Sequence, residues 1–349
     1  MKRYLLKLLI FLSPILLIVG TYIIFDPFKV IWHYDNYYAN LREVVINRGY
    51  VSTKVFDNQN DTCHYDSFIF GNSTSLAFHV KEWQQHIGTD TRCFHFDAMR
   101  GTVEGMNLKV HHIVEHQGHI KNALVILDHK VIGKDKAQSH LFMDPPALVD
   151  NENFFNFHWT NFLSFMNLKF VFAYFDYRFT GKFKPYMARI LSSRDDVKYN
   201  HITNEIEYVY RDQLIAQGKY YNPKFCAKIF NDQHPDSTDI VQINQERRQM
   251  LAEMADIFKR QHTRVKVVIA PFYDQIRINP ADLQCLQDIF GKENVYDFSG
   301  PNKWNSDYHN YYDAVHYRPH VATEILNIIY SENPESSESS ESSESSEIH

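Results

Sequence analysis

Asp66-Ser67-Phe68-Ile69-Phe70-Gly71-Asn72-Ser73-Thr74-Ser75 is an apolar run closed by a glycine and four small polar residues. It reads as a short buried strand that turns sharply at its end. Four more runs share its character: Arg92-Cys93-Phe94-His95-Phe96, Asn122-Ala123-Leu124-Val125-Ile126-Leu127-Asp128, Arg264-Val265-Lys266-Val267-Val268-Ile269-Ala270-Pro271 and Asn294-Val295-Tyr296-Asp297-Phe298. Stretches 103–120, 239–261 and 280–290 carry helix-period apolar residues instead, for example Ile243, Met250, Met254, Ile257 and Phe258. Apolar strands separated by helices imply an α/β fold, with a parallel five-stranded sheet covered on both faces. Such sheets bind ligands beyond the carboxyl ends of their strands. Chemistry is therefore expected just after Phe70, Phe96, Leu127, Pro271 and Phe298.

After Phe70, the order glycine, small polar residue, serine, helix-like stretch is that of a nucleophile on a tight turn. Gly71 permits the turn, and Ser73 is expected at a helix N-terminus, where free N–H groups favour developing negative charge. A serine hydroxyl needs a base. The segment Tyr311-Tyr312-Asp313-Ala314-Val315-His316-Tyr317, between the fifth strand and a helix over His320–Tyr330, supplies one. An Asp three residues before a His meets it across one turn, accepting from one ring nitrogen while the other faces the serine.

Gly71-Asn72-Ser73 after the first strand and Asp313-x-x-His316 near the C-terminus resemble the SGNH (GDSL-like) hydrolase and acyltransferase superfamily. Asn72 stands where that family usually has Asp. The resemblance covers residues 62–132 and 262–330. It implies a flavodoxin-like three-layer α/β/α fold with sheet order 2-1-3-4-5. It also implies ester hydrolysis or acyl transfer without a metal or cofactor, with Ser73 as nucleophile, His316 as general base and acid, and Asp313 as its orienting partner. The implied oxyanion hole is the Ser73 N–H, a glycine after strand two, for which Gly101 is the candidate, and an asparagine after strand three. There the sequence reads Leu127-Asp128-His129-Lys130, without Gly-x-Asn-Asp, so Asp128 or His129 is expected to line the site beside Asn72.

Residues 133–261 exceed any ordinary crossover and read as an inserted, largely helical cap ending in a core helix. Its first half is dense in aromatics, from Phe154 to Phe183. They read as the core of the cap, or alternatively as a lid or a face resting on a bilayer.

At the N-terminus, Leu8 to Phe25 holds no charge and follows Lys2, Arg3 and Lys7. This reads as an uncleaved signal anchor over residues 1–28, which places the rest outside the cytoplasm, in a periplasm or on a cell surface. Residues 29–61 read as a juxtamembrane segment, with Trp32, Tyr34, Tyr37 and Tyr38 among head groups. Residues 331–349, with their Glu-Ser-Ser repeats, read as a disordered tail.

Lys+Arg number 36 and Asp+Glu 42, and the six Glu after Tyr330 account for the whole net charge of −6. Nothing is left to neutralise phosphates, which excludes a basic nucleic-acid binder. The four cysteines form no C-x-x-C pair. Cys63 and Cys93 flank neighbouring strands and are expected to form a disulfide, with two buried thiols as the other reading; Cys226 and Cys285 are left unassigned. His112-Ile113-Val114-Glu115-His116 matches a zinc-binding spacing but lies in a His-rich helix of a chain with 19 His. An ordinary surface helix is the preferred reading, and no metal site is expected.

The expected function is that of a membrane-anchored, extracytoplasmic serine esterase or O-acyltransferase, acting on acyl, foremost acetyl, esters of envelope or extracellular glycans. A membrane-protein partner in acyl transfer fits that placement. The competing reading is an inactive module of the same fold that binds glycan or a partner protein in an envelope assembly.

Overall fold

The structure, a computed structural model, describes residues 2–39, 44–116, 118–133, 139–149, 153–188, 190–191 and 197–331. The apolar runs form β1 (Ser67–Gly71), β2 (Cys93–Asp97), β3 (Asn122–Leu127), β4 (Arg264–Ile269) and β5 (Val295–Asp297). They make one all-parallel sheet in the order β2-β1-β3-β4-β5, with Phe70 opposite Phe96 and Val125, and Leu127 opposite Ile269. Alternate side chains point to opposite faces. Phe68, Phe70, Phe94, Phe96, Val125 and Leu127 enter one core, while Ile69, Leu124, Ile126 and Val268 enter another.

Helices cover both faces. On the first lie α2 (Arg48–Cys63), α4 (Val103–Glu115), α10 (Gln245–Arg260) and α11 (Pro280–Phe290); on the second lie α3 (Val80–Ile87) and α12 (Pro319–Ser331). Their starts follow from local chemistry. Asn47, Thr102 and Asn244 each accept an amide of the first turn of α2, α4 and α10. In α10, Leu251, Met254, Ile257 and Phe258 then form the buried stripe. The short α5 (His129–Ile132) follows β3 directly.

The insertion holds α6 (Phe154–Phe165), α7 (Leu168–Thr180), a ribbon pairing Lys198–Tyr199 with Ile206–Glu207, α8 (Val209–Ala216) and α9 (Pro223–Ile229). α6 and α7 clasp the end of α1 (Lys2–Phe25): Tyr22 meets Phe162 and Phe165, with ring centroids 5.4 and 5.2 Å apart, and Phe25 meets Phe175 at 5.1 Å.

Among the described residues no helix is long and apolar enough to cross a membrane. Within the stretch read as an anchor, Leu8 to Phe25, the side chains of residues 8–10 are outside the described set, and the Glu/Ser tail from residue 332 lies wholly outside the described residues.

Two expectations are corrected. Of the aromatics expected among head groups, Tyr37 and Tyr38 turn inward, while Trp32 stays 51% exposed. Asp26 accepts the Val30, Ile31 and Trp32 amides and the Tyr34 hydroxyl, which curls the chain back. Tyr37 and Tyr38 are buried as a result, and α2, from the same segment, is a core helix that inserts Val51, Val55 and Phe56. The four cysteines are free thiols. Cys93 points into the core under α3 and α12, whereas Cys63, at the end of α2, packs on the opposite face. Strand adjacency therefore brings no sulfur pair together.

Candidate active site

The chain leaves β1 through Gly71. A Cβ there would stand 2.6 Å from Ser75 Cβ and 2.9 Å from Ser75 Oγ, so only glycine allows this fold-back. Asn72 builds the turn. Its Oδ1 accepts from the Thr74 amide and hydroxyl, both at 2.7 Å, and its Nδ2 donates to Asp128 Oδ2 at 2.9 Å. Ser75 Oγ donates to the Asn72 carbonyl at 2.7 Å, so the contact to His95 Nε2 at 2.8 Å is a bond donated by the ring. Burial pushes His95 down to about 4, which keeps it neutral.

Ser73 does not sit at a helix N-terminus, contrary to expectation. Side-chain bonds to the local backbone compete with helix formation, and the chain makes only a 3₁₀ turn, Ser75–Ala77. α3 starts at Val80, whose amide is taken by Glu205 Oε1 from the insertion at 2.7 Å.

The turn places Ser73 opposite His316. Ser73 Oγ lies 2.9 Å from His316 Nε2, and His316 Nδ1 lies 2.7 and 2.9 Å from the two Asp313 oxygens. A proton on Nδ1 satisfies the carboxylate and leaves Nε2 to accept from the serine. The loop is stiff for local reasons: Tyr311 bridges Tyr317, the Tyr312 amide donates to the His316 carbonyl, and Asp313 Oδ1 accepts the Val315 and His316 amides at 3.1 Å. Burial works to raise the Asp313 carboxyl. His316, the Val315 amide and Arg211 outweigh it and hold it below its ordinary value.

Gly101, Asp128 and His129 are not placed as the resemblance implied. The Gly101 amide donates to the Ala98 carbonyl at 3.2 Å. Asp128 is buried, and its Oδ1 caps α5 through the Lys130 and Val131 amides at 2.9 and 2.7 Å, while Oδ2 holds Asn72. A carboxylate whose lone pairs are so engaged props the serine turn from beneath. His129 faces Asp274 at 3.4 Å, beside the Phe272 ring. The Ser73 amide makes no hydrogen bond among the described residues.

Several neighbours carried no sequence signal. Arg211 on α8 lies 3.9 Å from Asp313 Oδ2 and stacks over Tyr208 at 4.4 Å. At the carboxyl end of β2, Arg48 clasps Asp97 through Nε (2.9 Å) and Nη2 (2.8 Å), with both groups buried. Tyr38 and Asn204 complete that cluster. Two cavities meet at the serine. One, of about 1020 Å³, extends past Arg48 and Asp97 towards Phe28; the other, of about 480 Å³, runs past His316 and Tyr312. Ser73, Leu76, Ile206 and Tyr208 line both.

Away from this site, Asp57, His112 and His116 each present a ligand atom within 4.8 Å of the others. In the described structure they are bonded protein to protein, His112 Nε2 to Asp57 Oδ1 at 2.7 Å and His116 Nδ1 to the His112 carbonyl at 2.8 Å.

No protein-family model matches the chain, and comparison with curated proteins gives no match.

Proposed function

We propose that the protein is a serine ester hydrolase or O-acyltransferase of SGNH type, held to a membrane by α1 and acting outside the cytoplasm on acyl esters. The observation that carries this reading is one hydrogen-bonded line from Ser73 Oγ through His316 to Asp313, at 2.9 and 2.7 Å. Those separations are within the reach that nucleophile, base and orienting group need.

In the proposed step Ser73 Oγ attacks the ester carbonyl while its proton passes to His316 Nε2. The C–O bond of the leaving alcohol breaks, and the alcohol departs with that proton. The acyl group rests on Ser73 until water or an acceptor hydroxyl, deprotonated by His316, takes it. Asp313 stabilises the imidazolium formed in each half. The Ser73 amide is the available backbone donor to the oxyanion. Two cavities joined at the nucleophile suit transfer, since a donor and an acceptor both require room there.

The engaged Gly101 amide and the Asp128 carboxylate, an acceptor rather than a donor, favour a second reading: a non-catalytic module that binds glycan or a partner protein. A fluorophosphonate probe separates the two. The full chain in detergent is expected to label, and Ser73→Ala and His316→Ala to lose labelling. An unlabelled, folded wild type refutes the catalytic reading.

A further inference from the structure

The larger cavity has Ser73 and Leu76 in its lining together with Phe28 and, from the α6–α7 hairpin, Thr160, Leu163 and Phe170. The same hairpin grips the end of α1, through Phe162 and Phe165 on Tyr22, and stacks Phe170 on Phe28 at 5.1 Å. One pair of helices thus touches both the apolar N-terminal helix and the space leading to the nucleophile.

The outer surface of that hairpin carries large exposed apolar side chains. Phe155 is 75% exposed, Leu168 82%, Phe172 67% and Phe179 79%. On the adjoining α1, Phe11, Leu17 and Ile24 are exposed as well, at 71–75%. Large apolar side chains in water at such density mark a surface that is covered in use. Its continuity with α1 names the cover: the bilayer in which the anchor sits. Lys169 and Lys182, beside these aromatics, suit lipid phosphates.

We infer that the larger cavity takes the hydrocarbon chain of a membrane lipid ester, with the ester carbonyl at Ser73 and the chain running back towards the hairpin and the bilayer. The inference rests on α1 as an anchor and on Ser73 as the nucleophile. It narrows the substrate to long-chain acyl esters, in place of the acetyl esters expected from sequence. In the step so defined the lipid oxygen leaves with the proton that His316 took from Ser73, and the long acyl group stays on Ser73. The smaller cavity on the His316 side receives the water or hydroxyl that releases it.

Two measurements on the full chain in palmitoyl-oleoyl phosphatidylcholine vesicles test this. First, a dodecyl fluorophosphonate is expected to label Ser73 about tenfold or more faster than an ethyl one, because each buried methylene adds affinity. Thr160→Trp, which fills the hairpin end, is expected to bring the two labelling rates together. Equal rates for the two probes in the wild type, or an unaltered preference in Thr160→Trp, overturns the inference. The second measurement needs no catalysis. Palmitate carrying a terminal diazirine is photolysed with the Ser73→Ala protein, and cross-links are expected within residues 160–170 and 197–208, lost in Thr160→Trp. Cross-links confined to α1 overturn the inference, whatever the labelling shows. If neither probe labels while the cavity still cross-links, the nucleophile reading fails and the chain-binding site stands.

Discussion

Asp97→Asn places a quantifiable strain on the floor of the larger cavity. Asp97 is 1% exposed and faces two cations. Arg48 clasps it with two bonds of 2.8 and 2.9 Å, and Lys109, whose Nζ donates to the Asp97 and Phe96 carbonyls, feels its charge. Burial pushes the Lys109 ammonium down to about 8, against the pull of Asp97 and Asp144. Asparagine keeps the shape and removes the anion. Arg48 cannot shed its proton, so it becomes an uncompensated buried charge at a cost of about 3–5 kcal/mol. Lys109 can. Without Asp97 its affinity for the proton falls further below 8, so the folded variant gives up that proton at a lower pH than the wild type does. Giving up a proton held with a value of about 8 adds at most about 1.4 kcal/mol at pH 7. The sign follows from linkage. Below pH 8 the folded wild type holds this proton more fully than the folded variant, so the penalty shrinks as pH rises through that window and levels off above it. Urea unfolding followed by tryptophan fluorescence, from about pH 6.5 to about pH 9, measures both parts. Arg48→Met with Asp97→Leu, which removes the pair together, is expected to be more stable than Asp97→Asn alone. A loss below about 1 kcal/mol, the range of surface pairs, or a penalty level across this pH range refutes the reasoning.

Asp313→Asn is expected to slow fluorophosphonate labelling by about 10²–10⁴-fold in a protein that still folds with a somewhat lowered melting temperature, because the amide can donate to His316 Nδ1 and select the wrong tautomer. Labelling at the wild-type rate removes Asp313 from the proposed step. His95 titrates at about 4 folded and at 6.5 unfolded, so the unfolded chain alone binds its proton between those values. Stability is therefore lost as pH falls from 6.5 towards 4, by about 3 kcal/mol from this residue, and His95→Gln is expected to flatten that slope in urea melts. Thiol titration of the unfolded, unreduced protein is expected to find four free cysteines, and Cys93, buried and pushed up to about 12, to resist iodoacetamide while the protein is folded. Fewer than four thiols contradicts the placement of Cys63 and Cys93 on opposite faces.

The sheet was legible because each strand is an unbroken apolar run, and the runs lie within a residue or two of β1 to β5. The meeting of Ser73 with His316, 243 residues apart, was legible because both follow strands whose carboxyl ends share one edge of a parallel sheet. Bonds that depend on one side chain's orientation were not. Asp128 was a candidate for the site because of its place after β3, yet the Lys130 and Val131 amides two and three residues on had first claim to its oxygens. Gly101 is at the expected strand end, and its amide is spent on a local turn to Ala98. Strand adjacency said that Cys63 and Cys93 were near each other, but period-two alternation cannot place a residue such as Cys63 that ends a helix. Arg48, 49 residues before Asp97, and Arg211, about a hundred before Asp313, sit on helices whose docking no local pattern encodes.

The insertion is where this mattered most, because it holds the site together as well as covering it. Tyr220 and Tyr221 donate their hydroxyls to the Tyr312 and Tyr311 carbonyls at 2.7 and 2.8 Å, and Asp212 accepts from the Tyr312 hydroxyl at 2.7 Å. These bonds clamp the loop that carries Asp313 and His316 from outside the sheet. On the other side Glu205 caps α3, the helix after the serine turn, and Ile206 and Tyr208 stand at the junction of the two cavities. Residues 205–221 thus fix both halves of the candidate triad and divide the space around it. The sheet supplies the groups proposed to react, and the insertion sets their distance and the shape of what reaches them. Variation in this segment is expected to change substrate choice and the Ser73–His316 geometry together, because the same side chains serve both.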